Sequence, residues 1–160
     1  MNIYYRLKET WYWLKCYLFH PYNVIRIKSL PPTWCDKSEL IRESLFQLIV
    51  DFVDKEEPFL HIDWDSDDGH KSAQNCIIQS YKWVTKVRPE LIEKSSKMLH
   101  EWGEKSNENA KEQGVSWFEH ISTPETDEMI KVYHALEEKI EMTDDKILTN
   151  IIKYRGYLWT

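Results

Sequence analysis

The hydrophobic positions of this chain repeat mostly at helical spacing. Ile3, Leu7, Trp11, Leu14 and Leu18 recur every three or four residues, and Pro21 stops that run. Val24, Ile25 and Ile27 predict a short strand, closed by Pro31-Pro32. The strongest helix covers 37–54, where Ile41, Leu45, Leu48 and Phe52 form a stripe widened by Leu40, Ile49 and Val53. Its polar remainder (Glu39, Glu43, Gln47, Asp51, Asp54) is a narrow band, so this helix belongs at the centre of the core. Asp36 or Ser38 can cap it. In Pro58–Trp64, Leu60, Ile62 and Trp64 alternate with His61, Asp63 and Asp65, a period of two that predicts a half-buried strand.

After the acidic turn Asp65–His70, with Asp68 or Ser72 as cap, a helix carries Ala73, Ile77, Tyr81, Val84 and Val87. Pro89 opens another, with Leu91, Ile92, Ser95, Met98, Leu99 and Trp102 inward and Gly103 as its end. Residues 104–114 hold almost no apolar side chain and are expected to be an exposed connector. Val115–Ile121 has no clear period. Thr123-Pro124 is a helix start, followed by Met129, Tyr133, Leu136 and Ile140. That pattern either runs on or restarts at Thr143. Asp144-Asp145 suits a first turn better than an interior, which favours two helices, the last bearing Ile147, Leu148, Ile151, Ile152 and Leu158. No internal repeat is present. The expectation is a mainly α single domain over 1–160, with five or six helices and a small antiparallel β element from 22–30 and 58–64. An α+β arrangement is the alternative.

Composition narrows the function more than the fold. A chain of 160 residues buries about 70% of its unfolded surface and needs no metal or disulfide to fold. Eight Trp and nine Tyr must find a core, an interface or a membrane surface. The net charge of −6 is uneven. Residues 1–35 have five bases against one acid, whereas 36–70 have eleven acids against three bases. This balance disfavours nucleic acid, whose affinity for proteins comes from cations displacing counterions, and favours a basic protein partner or phosphate mimicry. Cys16, Cys35 and Cys76 are odd in number and lack zinc spacing, as expected of reduced thiols in a cytoplasm. The apolar stretch Trp11–Phe19 lacks a signal-peptide cleavage site and is too short to span a bilayer.

One segment offers metal chemistry. On a strand, His61, Asp63 and Asp65 share a face, with Asp67, Asp68 and His70 in the turn beyond. Carboxylate with imidazole suits a divalent cation, and His61, Asp63, Asp65 and His70 are the candidate ligands of a metal-dependent hydrolase or nuclease. The plainer alternative is a solvent-facing strand and a helix cap. An EF-hand loop from Asp63 would need Gly and Glu where Asp68 and Gln74 stand. Asp63-Trp64-Asp65 lacks the apolar strand of an aspartyl-nucleophile phosphatase, and His120-Ile121-Ser122 is only half of a two-histidine phosphoesterase signature. No GxSxG elbow, activated cysteine or glycine-rich phosphate loop exists.

The binding candidate is broader. Asp51, Asp54, Glu56, Glu57, Asp63, Asp65, Asp67 and Asp68 can form one negative surface, unless the band on the 37–54 helix is simply its solvent stripe. Residues 3–19 mix Trp11, Tyr12, Trp13, Tyr17 and Phe19 with Arg6, Lys8 and Lys15. They fit docking on the core, self-association or partner binding, or peripheral membrane contact.

Leu30-Pro31-Pro32-Thr33-Trp34-Cys35-Asp36, leading to Leu48–Glu56, resembles a group of uncharacterised small proteins of tailed bacteriophages. The His61–His70 segment and the ending Lys153–Thr160 are similar to that group too. The resemblance implies a viral origin and expression in a bacterial cytoplasm, and brings no catalytic residues with it. The expected function is a non-enzymatic phage accessory protein binding a host or phage macromolecule through an acidic, aromatic-containing surface. No cofactor is expected, and a homo-oligomer is compatible. The hydrolase is the alternative, and a virion structural component is the third reading.

Overall fold

The computed structural model describes residues 7, 8, 10–12, 14, 27–30, 34–119 and 121–158. Five α-helices lie within 34–158: α1 (Lys37–Glu56), α2 (Pro58–His61), α3 (Asp68–Lys82), α4 (Arg88–Gln113) and α5 (Pro124–Tyr154). A π-helical turn, Trp83–Val87, joins α3 to α4, and a 3₁₀ turn, Arg155–Tyr157, follows α5. The architecture is mainly α, and no strand occurs among the described residues.

The core is built by three elements. Phe46, Ile49 and Phe52 of α1 meet Ala73 and Ile77 of α3 and Ile140, Ile147 and Ile151 of α5, with Trp64, Trp83 and Leu158 closing the ends. The buried face of α1 is turned away from the predicted stripe: Glu43 and Gln47 of the polar band are buried beside Phe46, Ile49 and Phe52, whereas Leu40 and Ile41 are exposed. Asp36 caps α1 by accepting from the Ser38 N–H at 3.1 Å. The bonds of Lys28 N–H to Gln47 and Ser29 Oγ to Glu43 (3.2 and 2.6 Å) fasten residues 28–29 to α1.

Beyond this core, α4 and the first half of α5 form a hairpin. The pairs Arg88–Asp144, Ser95–Glu137 and Asn109–Thr123 run in opposite directions along the two helices, which sets them antiparallel. Ser95, Ser106, Ala110 and Thr126 are buried along the hairpin, where small side chains let the backbones approach. Gly114 ends α4 at φ 66, in the left-handed region that glycine occupies freely.

Four sequence expectations need correction. Pro58–Trp64 is not a strand: Pro58 starts a one-turn helix, and the Trp64 indole folds back to donate to the Pro58 carbonyl at 3.1 Å. The alternation there reflects a turn that buries Trp64 and Pro58, with no partner strand to complete a ladder. Residues 28–30 form bends and 27 is irregular, and 22–26 of the other expected strand lie outside the described residues. The 104–114 connector is mostly helix, with α4 passing through Gly103 to Gln113. Its Glu, Lys and Ala residues are good helix formers, and Ser106 and Ala110 supply the buried contacts. Finally, α5 is one helix, and the Thr143 hydroxyl bonds back to the Lys139 carbonyl instead of capping a new one.

The α3–α4 junction has a physical cause. Pro89 has no N–H for the carbonyl one turn before it, so an ordinary α ladder breaks there. The π turn reroutes the ladder, with the Arg88 N–H reaching the Trp83 carbonyl, and helix continues from Asp68 to Gln113. The N-terminal residues described (7, 8, 10–12, 14) are helical.

Candidate functional site

The acidic end of the molecule is built from the close of α1, the α2 turn and the start of α3. Glu57 sits between two helical segments at φ 46, a left-handed conformation unusual for a residue with a side chain. This abrupt turn, followed by Pro58 at the first position of α2, projects Phe59 and Leu60 outward; Leu60 is 75% exposed. Asp63 accepts from the Asp65 N–H at 3.2 Å, forming an Asx turn that leads into α3. The cap of α3 is Asp67, neither Asp68 nor Ser72. It accepts from the His70 N–H at 2.9 Å and contacts His70 Nδ1 at 2.8 Å. The backbone bond from His70, and then its imidazole, hold the Asp67 carboxyl below the ordinary carboxylate range.

Aromatic contacts lock this segment to the C-terminal turn. Phe59 leans on Trp64 at 6.0 Å between centroids, Trp64 faces His70 at 6.4 Å, and His70 meets Tyr157 edge-on at 5.0 Å. Gly69 permits the approach: a Cβ there would lie 2.5 Å from the Tyr157 hydroxyl.

The eight expected acidic residues divide by role. Asp54, Glu56, Glu57, Asp63, Asp65, Asp67 and Asp68 are exposed, whereas Asp51 is half-buried on α1. Burial pushes the Asp51 carboxyl up, but bonds from Lys55 and Gln47 (2.7 and 2.9 Å) outweigh it and hold it below its usual value. Asp54 accepts from the Tyr81 hydroxyl at 2.7 Å and raises that phenol's pKa. Lys71 approaches Asp65 at 3.8 Å.

His61, Asp63, Asp65 and His70 do not share a strand face. His61 ends the α2 turn exposed to solvent, while His70 lies beyond the bend against Asp67 and Tyr157. Among the described residues no group of three or more His, Cys, Asp or Glu is arranged to hold a metal ion.

A second charged cluster, unforeseen from the sequence, lies inside the bundle. Asp144, buried on α5, accepts from Trp83 Nε1 at 2.7 Å and from Arg88 Nε at 2.9 Å. Arg88 Nη2 also reaches the buried Glu43 at 2.9 Å, and its guanidinium lies 5.1 Å from the Phe46 ring centroid. Arg42 completes the cluster, 3.7 Å from Asp144 and paired with Glu39. A cleft of about 330 Å³ opens above it, lined also by Ile92, Ile140, Glu137 and Glu141. Both buried carboxylates are engaged by arginine, so this arrangement orients α1, α4 and α5 and offers neither a nucleophile nor a poised proton donor. By sequence, Glu43 falls in the solvent band of α1 and Asp144 in the first turn of a separate helix, so no local signal marks this cluster.

Comparison with known protein families, curated proteins and solved structures finds no match to this chain. No helix of the described residues is long and apolar enough to cross a membrane.

Proposed function

We propose that the chain is a non-enzymatic interaction protein whose acidic end holds a basic surface of a protein partner. The observation that carries this reading is the seven exposed carboxylates within residues 54–68, the stretch that also exposes Phe59 and Leu60. Lys55 and Lys71 are the cations beside them, each already facing Asp51 or Asp65. The carboxylates steer a cationic surface over a distance of roughly 8–10 Å at moderate salt. The exposed apolar pair supplies the desolvated contact that charge alone lacks. The frame is set beforehand by the Asp63 turn, the Asp67 cap and the ring contacts to Tyr157, which lowers the ordering cost of binding.

In this reading the chain is a phage accessory factor acting on a host or phage macromolecule in a bacterial cytoplasm, supported by the resemblance of Leu30–Asp36 and Leu48–Glu56 to small tailed-phage proteins. The test is capture from bacterial lysate on immobilised chain, with a second column carrying Glu56→Gln, Asp65→Asn and Asp68→Asn together. These three exposed side chains cap no helix. Retention of a basic protein at low salt, lost at physiological salt and on the substituted column, supports the reading. Equal retention on both columns refutes it.

A further inference from the structure

At the far end of the hairpin, α4 and α5 leave an apolar groove of about 490 Å³ uncovered. Met98 and Met129 line it, with Val132 at 48% exposure, and Glu101, Glu125 and Glu128 form its rim. Glu125, Glu128, Met129 and Val132 follow one helical stripe, so one wall of the groove runs along α5, as in grooves that take an amphipathic helix. Methionine lining adapts to an irregular apolar ridge. Glu125 is paired with Lys105, while Glu101 and Glu128 have no ion-pair partner among the described residues.

The chain itself carries a complementary ridge. Leu7, Trp11 and Leu14 are spaced i, i+4, i+7 in the helical N-terminal residues, and Leu7 and Trp11 are about two-thirds exposed. The same segment has Arg6, Lys8 and Lys15 against one acid, Glu9. An exposed apolar ridge and an acid-rimmed apolar groove thus both occur among the described residues. Apolar faces of this kind are the usual mark of an association site, and opposite charge selects which face meets which. We propose that the groove binds the Leu7–Trp11–Leu14 face of a second copy. Reciprocal exchange of the two helices then closes a twofold dimer. This inference is independent of the acidic end at 54–68.

The test is the mass of the full chain by sedimentation and light scattering at high micromolar concentration. The comparison uses Trp11→Ser and Val132→Lys, both surface changes whose helical spectra should match the unsubstituted chain. The expected result is a two-chain species, weakened about tenfold or more by either substitution. An equimolar mixture of the two variants should regain dimer, because the intact helix of Val132→Lys fits the intact groove of Trp11→Ser. A single-chain mass for the unsubstituted protein overturns the proposal, as does a dimer indifferent to Val132→Lys. Binding to anionic vesicles that depends on Trp11, with no change of mass, would assign the helix to a membrane surface instead. The Glu56, Asp65 and Asp68 variant should keep the dimer, which separates failure here from failure of the binding reading.

Discussion

Replacing Asp144 with alanine tests the physical account of the bundle most severely. Asp144 is 2% exposed and satisfies both the Trp83 indole N–H and Arg88 Nε. Truncation leaves those donors buried, and Arg88 keeps Glu43 as its remaining close carboxylate. Breaking a buried pair from one side costs about 3–5 kcal/mol, and the surviving Glu43 contact argues for the lower end, about 3 kcal/mol. For a chain of this length that lowers the thermal midpoint by about 6–12 °C. Asp144→Asn should cost less, since the amide oxygen still accepts from Trp83. Pairing Asp144→Ala with Arg88→Met in a double-mutant cycle, read by urea unfolding, should give a coupling of about 1–3 kcal/mol. A loss below about 1 kcal/mol, or additive single effects, would refute the reasoning.

Other outcomes follow from the same geometry. Asp67 titrates lower folded than unfolded, so in acid the unfolded chain takes up its proton first; the stability it contributes is present above the ordinary carboxylate pKa and is lost as pH falls through the folded value. Asp67→Asn, which can still cap, should therefore flatten the fall in urea midpoint measured below about pH 4 while changing neutral stability little. Gly69→Ala places a methyl 2.5 Å from the Tyr157 hydroxyl and 2.9 Å from Asp67 Oδ1 and should destabilise despite its helix propensity, with partial recovery in a Tyr157→Phe background; stabilisation by Gly69→Ala alone would contradict the contacts. Ser106 Oγ is buried without a hydrogen-bond partner among the described residues, so Ser106→Ala should raise stability by about 1 kcal/mol in denaturant titration. Chelation of divalent cations should leave the unfolding midpoint unchanged, and a lowered midpoint would point to a cation held at 61–70.

The sequence revealed features set by local periodicity and capping. The periodicity of Ile41, Leu45, Leu48 and Phe52 identified α1 as a helix though not its buried face, and Thr123-Pro124 marked the start of α5 because a cap and an N1 proline act within one turn. The misread elements depended on distant partners. Asp144 belongs inside a helix only because Arg88, 56 positions away, neutralises it. Residues 104–113 are helical because α5 returns alongside them, which no local apolar count registers. The Pro58–Trp64 alternation read as a strand because period two carries no sign of the proline-started turn that buries Pro58 and Trp64 and leaves Leu60 exposed. Of the candidate site, the contiguous acids were legible as charge. Their division into exposed carboxylates and structural caps needed the fold, as did the separation of His61 from His70.

Native mass spectrometry on the chain expressed in bacteria addresses the binding claim most directly, with neither metal nor chelator added. The account predicts a metal-free chain retaining a basic protein at low salt, and no such partner for the Glu56, Asp65 and Asp68 variant. Equal retention by that variant, or a stoichiometric metal adduct removed by Asp63→Asn and Asp65→Asn, would contradict it.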